Sequence, residues 1–179
     1  TTAAGRDIII LKYSADGNLL WTKTYNGSAN ADDVAYALKH DNAGNLYVCG
    51  FSTQNRSGAD YVTLKYSGIN GKLVWAKTYD GTGNRTDMIT AIAVGSDNSV
   101  VVTGNSMGST QAGSEDIVTI KYDENGSQLW NKKYDGSDIG NTTDKVYAIT
   151  LDNSNNVYLT GNLYNGNISR ILIIGYNSD

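Results

Sequence analysis

Residues 60–81 read DYVTLKYSGINGKLVWAKTYDG, and the same phrase returns on either side, as DIIILKYSADGNLLWTKTYNG from Asp7 and DIVTIKYDENGSQLWNKKYDG from Asp116. Each copy runs aspartate, apolar stretch, Lys-Tyr, turn, Trp, Lys, Tyr and Gly. Three related stretches lie between and after them: DVAYALKHDNAGNLYVCG from Asp33, DMITAIAVGSDNSVVVTG from Asp87 and DKVYAITLDNSNNVYLTG from Asp144. Trp21, Trp75 and Trp130 are 54 and 55 residues apart, and Gly50, Gly104 and Gly161 are 54 and 57 apart. A further copy opens with RILIIGYNSD at Arg170. Self-similarity at such a period marks a repeat architecture. Each unit is one supersecondary element that must stack on its neighbours to hide its apolar faces.

Each unit divides into four short strands. Ile8 to Ser14 is β-branched and alternating, Ser14 to Asn18 has turn chemistry, and Leu19 to Tyr25 alternates again. Val34 to His40 and Leu46 to Phe51 make a second hairpin about Asp41 to Asn45. A helical reading fails on residue type, because the apolar runs are rich in Val, Ile, Thr and Tyr and are broken by Gly every few residues. Proline is absent, so the turns rely on pairs such as Asn70-Gly71 and Asn125-Gly126. The expected fold is all-β. Four antiparallel strands in about 55 residues match the blade of a β-propeller.

With A the strand nearest the axis and D the rim strand, Val34 begins an A strand, Leu46 a B strand, Asp60 a C strand and Leu73 a D strand. Ala37, Ala91 and Ala148 recur at one position of strand A, where blades would crowd. Residues 1–179 then form one repeat region: a half blade (C–D) at 7–33, blades at 34–80 and 87–134, and an incomplete A–B–C blade at 144–177. Trp21, Trp75 and Trp130, with Tyr25, Tyr79 and Tyr134, are expected to stack each blade on the next. About three blades' worth of strands cannot close a ring, since propellers use roughly four to eight. Open ends leave apolar faces and strand edges exposed. The missing blades therefore come from a longer parent chain or from another copy, whose C–D hairpin would complete the A–B–C end.

The pattern D-x-x-x-x-K-Y…G-x-x-x-W-x-x-x-Y-x-G, carried by Asp60, Lys65, Tyr66, Gly71, Trp75, Tyr79 and Gly81 and by two sister copies, resembles the SBBP-type β-propeller repeat of bacterial secreted and surface proteins. The resemblance covers nearly the whole chain. It implies a propeller, an extracellular or cell-surface location and a multi-blade parent, and it implies no defined catalytic chemistry. The last copy departs from the pattern, with Arg170 in place of Asp and Gly175 in place of Lys.

Composition narrows the function. Of 179 residues, 40% are hydrophobic and only 18% charged, with a net charge of −4, which gives no basic footprint for nucleic acid. No apolar run reaches the roughly 18 residues of a membrane helix, so membrane insertion is not expected. The chain opens on Thr1 rather than Met, as a processed product or a piece of something longer does. One histidine and one cysteine exclude a zinc finger, a thiol pair and an internal disulfide framework. His40 has no counterpart in the other copies and is expected at the surface. Cys49 stands where Thr103 and Thr160 do, as a small strand residue. The chain is therefore not expected to be an enzyme, and no catalytic residue is assigned.

Asp33, Asp87 and Asp144 recur at strand starts, where a carboxylate accepts backbone N–H groups. No metal site or cofactor is assigned. The Asp-Asn-Gly clusters at residues 41–44, 123–126 and 152–155 lack the closing Glu of a calcium loop and read as tight turns. Calcium held by the longer loops is the remaining metal reading.

The A–B and C–D turns are short and uniform, whereas the B–C and D–A connections vary in length. Variable loops on a rigid scaffold carry binding specificity. Asp32, Arg56, Arg85, Glu115 and Asp138 lie there and are the candidate binding residues. The expected function is a non-catalytic extracellular propeller module for binding, scaffolding or self-assembly, partnered by itself or its parent's blades, or by a glycan or protein. The alternative is part of a larger glycan-active or quinone-dependent propeller enzyme.

Overall fold

The computed structural model describes residues 5–55, 58–82, 85–108, 115–136, 143–165 and 167–178. The fold is all-β, with no helix among the described residues. The described strands are β1 (Ile8–Tyr13), β2 (Leu19–Tyr25), β3 (Asp33–His40), β4 (Leu46–Gln54), β5 (Gly58–Tyr66), β6 (Leu73–Tyr79), β7 (Asp87–Val94), β8 (Val100–Met107), β9 (Glu115–Tyr122), β10 (Gln128–Tyr134), β11 (Thr143–Leu151), β12 (Val157–Tyr164) and β13 (Ser169–Tyr176). Successive strands pair antiparallel in groups of two, four, four and three: β1–β2, β3–β6, β7–β10 and β11–β13. One parallel pair, Thr143 with Glu115, joins the last two groups.

The turns explain the short hairpins. At residues 14–18, 41–45, 95–99, 123–127 and 152–156 the first N–H donates to the fifth carbonyl, and the fourth N–H donates to the first carbonyl. The fourth residue is left-handed each time: Gly17, Gly44, Asn98, Gly126 or Asn155. Only Gly and Asn take that conformation readily, which is why they alternate at this position. Of the Asn125-Gly126 pair, only the glycine has positive φ. The geometry is thus the three-residue hairpin loop rather than the two-residue one.

Each first strand carries a β-bulge, at Ala35/Ala37, Ile89/Ala91 and Val146/Ala148. Tyr36, Thr90 and Tyr147 are the extra residues. Thr90 Oγ1 donates to Val146 O of the following group at 3.1 Å. The bulge presses the backbone onto the repeated glycine opposite: a Cβ on Gly104 would lie 2.1 Å from Met88 O. Ala91 is buried, Ala37 half-buried and Ala148 exposed. Crowding at the repeated alanine therefore belongs to the middle copy only.

Three apolar layers join the groups. Ile8 and Ile10, with Trp21 and Tyr25, pack on Val48, Val62, Leu64 and Tyr66. Tyr47, Tyr61 and Trp75, with Tyr79, pack on Ile89, Ile92, Val102, Val118 and Ile120. Ile117, with Tyr134, packs on Val146, Leu159, Leu163 and Leu172. The second layer is rich in rings: Trp75 lies 6.1 Å from both Tyr47 and Tyr122, and Tyr79 lies 5.5 Å from Tyr61.

Polar contacts repeat along with the layers. The lysine of each Lys-Tyr pair donates to a main-chain carbonyl of the following group: Lys12 to Gly68 O, Lys65 to Glu124 O at 2.8 Å and Lys121 to Ser178 O at 2.6 Å. Lys65 and Lys121 are buried, so the bond offsets the cost of removing an ammonium from water. Trp75 Nε1 donates to the same Glu124 carbonyl at 3.1 Å. A Cβ on Gly126 would touch both Trp75 Cδ2 and Lys77 Cε at 2.9 Å, so the turn glycine lets the next group settle on the indole.

Trp75→Ala is expected to lower unfolding stability by about 3–5 kcal/mol. Lys65→Met, which deprives Glu124 O of its charged donor, should cost about 1–3 kcal/mol. Exposed Lys72→Met should stay within about 0.5 kcal/mol, all three read from urea midpoints.

Candidate functional site

Among the described residues, the candidates Asp32, Arg85 and Glu115 are not brought together into one polar site. Asp32 is committed to the N-terminal arm: its Oδ1 accepts from Arg6 N at 2.9 Å and its Oδ2 lies 2.6 Å from Arg6 Nη2. The Arg6 guanidinium holds the Asp32 carboxyl below its ordinary value. Arg85 and Glu115 are half-buried, Glu115 at the start of β9 opposite Met107. No hydrogen bond or ion pair among the described residues links Asp32, Arg85 and Glu115. Arg56 and Asp138 lie outside the described residues.

The aspartates at the first-strand starts are buried. Asp33 Oδ2 accepts from Gly27 N, and Asp87 Oδ2 from Gly81 N, each at 2.6 Å. Asp33 and Asp87 face Ser52 and Ser106: a Cβ on Gly27 or Gly81 would meet both the serine hydroxyl and the carboxylate. The other oxygen, Oδ1, of Asp33 and of Asp87 is buried without a hydrogen-bond partner. Burial pushes the Asp87 carboxyl up; Ser106 and Gly81 act against the shift, and the charge of Asp80 adds to it. Asp60, Asp80 and Asp87 each bring one carboxylate oxygen within 4.8 Å of the others. In the next copy Asp116 is instead bound by Lys133 Nζ at 2.6 Å.

The turn aspartates are saturated by their own loops. Asp123 Oδ1 accepts from Asn125 N at 2.9 Å and Ser127 N at 2.7 Å, and Asp152 Oδ1 from Ser154 N at 2.8 Å and Asn156 N at 2.9 Å. At Asp41 burial favours the neutral acid, and bonds from Asn45 and Tyr47 overcome it, leaving the carboxyl below its ordinary value. The Ser127 amide lowers Asp123, and the Asn156 side chain lowers Asp152. His40 is exposed, its Nδ1 3.0 Å from Asp41 O. With Lys39 it borders a cavity of about 230 Å³ where the ends of β3, β7 and β11 meet. Burial pushes the Cys49 thiol up to about 12, so it is neutral at physiological pH and unsuited to nucleophilic attack.

The most distinctive surfaces are the two outer faces of the stack. Ile9 and Leu11 on β1 are 60% and 46% exposed, whereas their counterparts Val62, Leu64, Val118 and Ile120 are at most 1% exposed. Tyr13 is likewise open where Tyr66 and Tyr122 are buried. At the other end Ile171 and Ile173 on β13 are 86% and 75% exposed. Their counterparts Ile8, Tyr61 and Ile117, and Ile10, Thr63 and Thr119, are buried. Tyr158 is exposed where Tyr47 and Val101 are buried. A cavity of about 270 Å³ between β1 and β3, lined by Ile9, Leu11, Tyr36 and Leu38, lies on the open edge of β1.

Sequence reasoning located the ends of the repeat but not which side chains they bare; the signal was present in the aligned copies. No protein-family model matches the chain, and no curated protein matches it. The resemblance to SBBP-type repeats therefore rests on the repeat residues alone. No described helix is long and apolar enough to cross a membrane.

Asp41, Asp123 and Asp152 have lowered folded values, so their stabilisation is present above the ordinary carboxylate pKa and lost as pH falls through the folded values. The urea midpoint should therefore drop as pH falls below the ordinary carboxylate range near about pH 4. Asp41→Asn should make that drop shallower.

Proposed function

We propose that the chain is a non-catalytic β-propeller module whose four-strand sheets are blades, and that it works by stacking end to end with further copies. The observation that carries this reading is the pairing of outer faces. The first sheet bares the residues that inner sheets bury against a preceding sheet. The last sheet bares those that inner sheets bury against a following one. Two such faces bring together apolar positions of the kind the inner layers bury, which would make a heterologous, head-to-tail contact. Rows of exposed Ile, Leu and Tyr on opposite ends are the kind of apolar surface that serves association.

Face-on-face stacking leaves β13 in place. That matters because β13 pairs with β12 along its whole length, from Val157–Tyr176 to Tyr164–Ser169. Insertion of another copy's hairpin in its stead would first break that ladder. Repetition of the contact closes a ring if the angle per blade allows and otherwise extends a filament. The SBBP-like pattern favours a secreted or surface setting, where the variable loops would meet glycan or protein ligands.

Light scattering over rising concentration should show mass above that of one chain. Leu11→Asp and Ile171→Asp should each abolish long assemblies by placing a carboxylate in one end face. Mixed together, they should form a two-chain species and nothing larger, because one intact face of each remains. A monodisperse single chain at every concentration of the unaltered protein would refute the assembly.

A further inference from the structure

From the cavity where the ends of β3, β7 and β11 meet, we infer that Lys39 and its neighbours bind a small carboxylate with a short aliphatic body. β3 contributes Lys39 and His40 to the lining, β7 contributes Val94, and β11 contributes Ile149, Thr150 and Leu151. Three consecutive groups therefore form one recess from the last residues of their first strands. The recess lies within one chain and needs no second copy.

The lining is uneven in charge. Lys39 stands where the other first strands have Ala93 and Thr150, and His40 where they have Val94 and Leu151. One wall thus carries an ammonium and a ring, while the others are aliphatic apart from the Thr150 hydroxyl. Among the described residues no carboxylate lines the cavity, and Lys39 makes no ion pair or hydrogen bond. The acids in the turns after these strands are held by their own loops. Asp41 accepts from Asn45 N at 2.8 Å and Tyr47 Oη at 3.2 Å, and Asp97 from Ser99 N at 3.0 Å and Ser99 Oγ at 2.7 Å. Asp152 accepts from Ser154 N and Asn156 Nδ2, each at 2.8 Å. The Lys39 ammonium is left for a counter-charge from solution.

Size and chemistry then select the ligand. The volume of about 230 Å³ is below the roughly 300–1,000 Å³ of pockets for drug-sized molecules, so a nucleotide or an oligosaccharide is too large. One ammonium and one hydroxyl suit the two oxygens of a carboxylate better than a multiply charged phosphate, which favours clustered, bidentate donors. Val94, Ile149 and Leu151 give a short carbon chain apolar surface to cover. His40 Nδ1 lies 3.0 Å from Asp41 O; a carbonyl only accepts, so Nδ1 carries the hydrogen and the bond fixes the ring beside the recess.

His40 is the only histidine in the chain, so its ring proton resonances report on the recess without ambiguity. They should shift and saturate when the whole chain is titrated with sodium butyrate at constant ionic strength, with a Kd of about 1–10 mM for so small a ligand. Acetate, with less chain to cover, should bind several-fold more weakly. Butylammonium chloride and sodium chloride should give no saturating shift. Lys39 is exposed, so Lys39→Met should leave the fold intact while weakening butyrate at least about tenfold. Lys39→Arg, which keeps the charge, should retain binding. A butyrate titration without saturation would overturn the proposal, as would an equal response to sodium chloride, which marks an adventitious ion only. Butyrate binding unchanged in Lys39→Met would overturn it too, since the carboxylate would then be held elsewhere.

Discussion

Everything in this fold depends on a sheet having a neighbour on both sides. A four-stranded sheet with alternating apolar residues on each face cannot satisfy itself, and one antiparallel hairpin is marginal alone. Here the neighbour is supplied by repetition. Trp75 lies against Gly126, Lys65 reaches Glu124 O, and Val118, Ile120 and Tyr122 close over Tyr61. The same assignments recur one copy earlier, where Gly71 meets Trp21 and Lys12 reaches Gly68 O. Each contact is ordinary; their recurrence fixes the register of one sheet on the next.

The lysine bonds give this stacking a direction. An apolar layer alone tolerates sliding, since dispersion and burial are not directional. An ammonium that passes 5.2 Å from the Tyr47 ring centroid and ends on one main-chain carbonyl of the next turn does not. The indole of Trp75 adds a second donor to that carbonyl, so the turn is held by two groups from the preceding sheet. Trp21 and Trp130 keep the place of Trp75, but their Nε1 atoms are buried without a partner. The middle junction is accordingly the best satisfied of the three.

Much of this was legible in the sequence. The period, the strand pattern, the short turns and the broken phase at both ends follow from residue type and spacing, because alternation and turn residues act locally. What stayed hidden depends on distances between copies. Nothing in the string joins Lys65 to Glu124, since its partner is a carbonyl that every residue carries. Asp60, Asp80 and Asp87 are spread over 28 residues, yet each brings a carboxylate oxygen within 4.8 Å of the others. Asp32 looked like a free loop acid, and only the course of the N-terminal arm shows it bound to Arg6. The exchange of Lys133 for Thr78 was visible in the aligned copies, yet it acquires meaning only once Asp116 is seen to hold the lysine.

The ends of the stack differ from its interior in a way that bears on how firmly copies would hold each other. Gly175 replaces the repeated lysine, so β13 has no ammonium to donate into a following turn. The last group comprises three described strands, β11–β13. A contact formed there has Ile171, Ile173 and Tyr158 but neither of the directional donors found at the middle junction. It gains the non-specific part of the stacking energy and little of the part that fixes register. An end-to-end contact built this way is weaker than any layer within the chain, so copies would exchange while each chain stays folded.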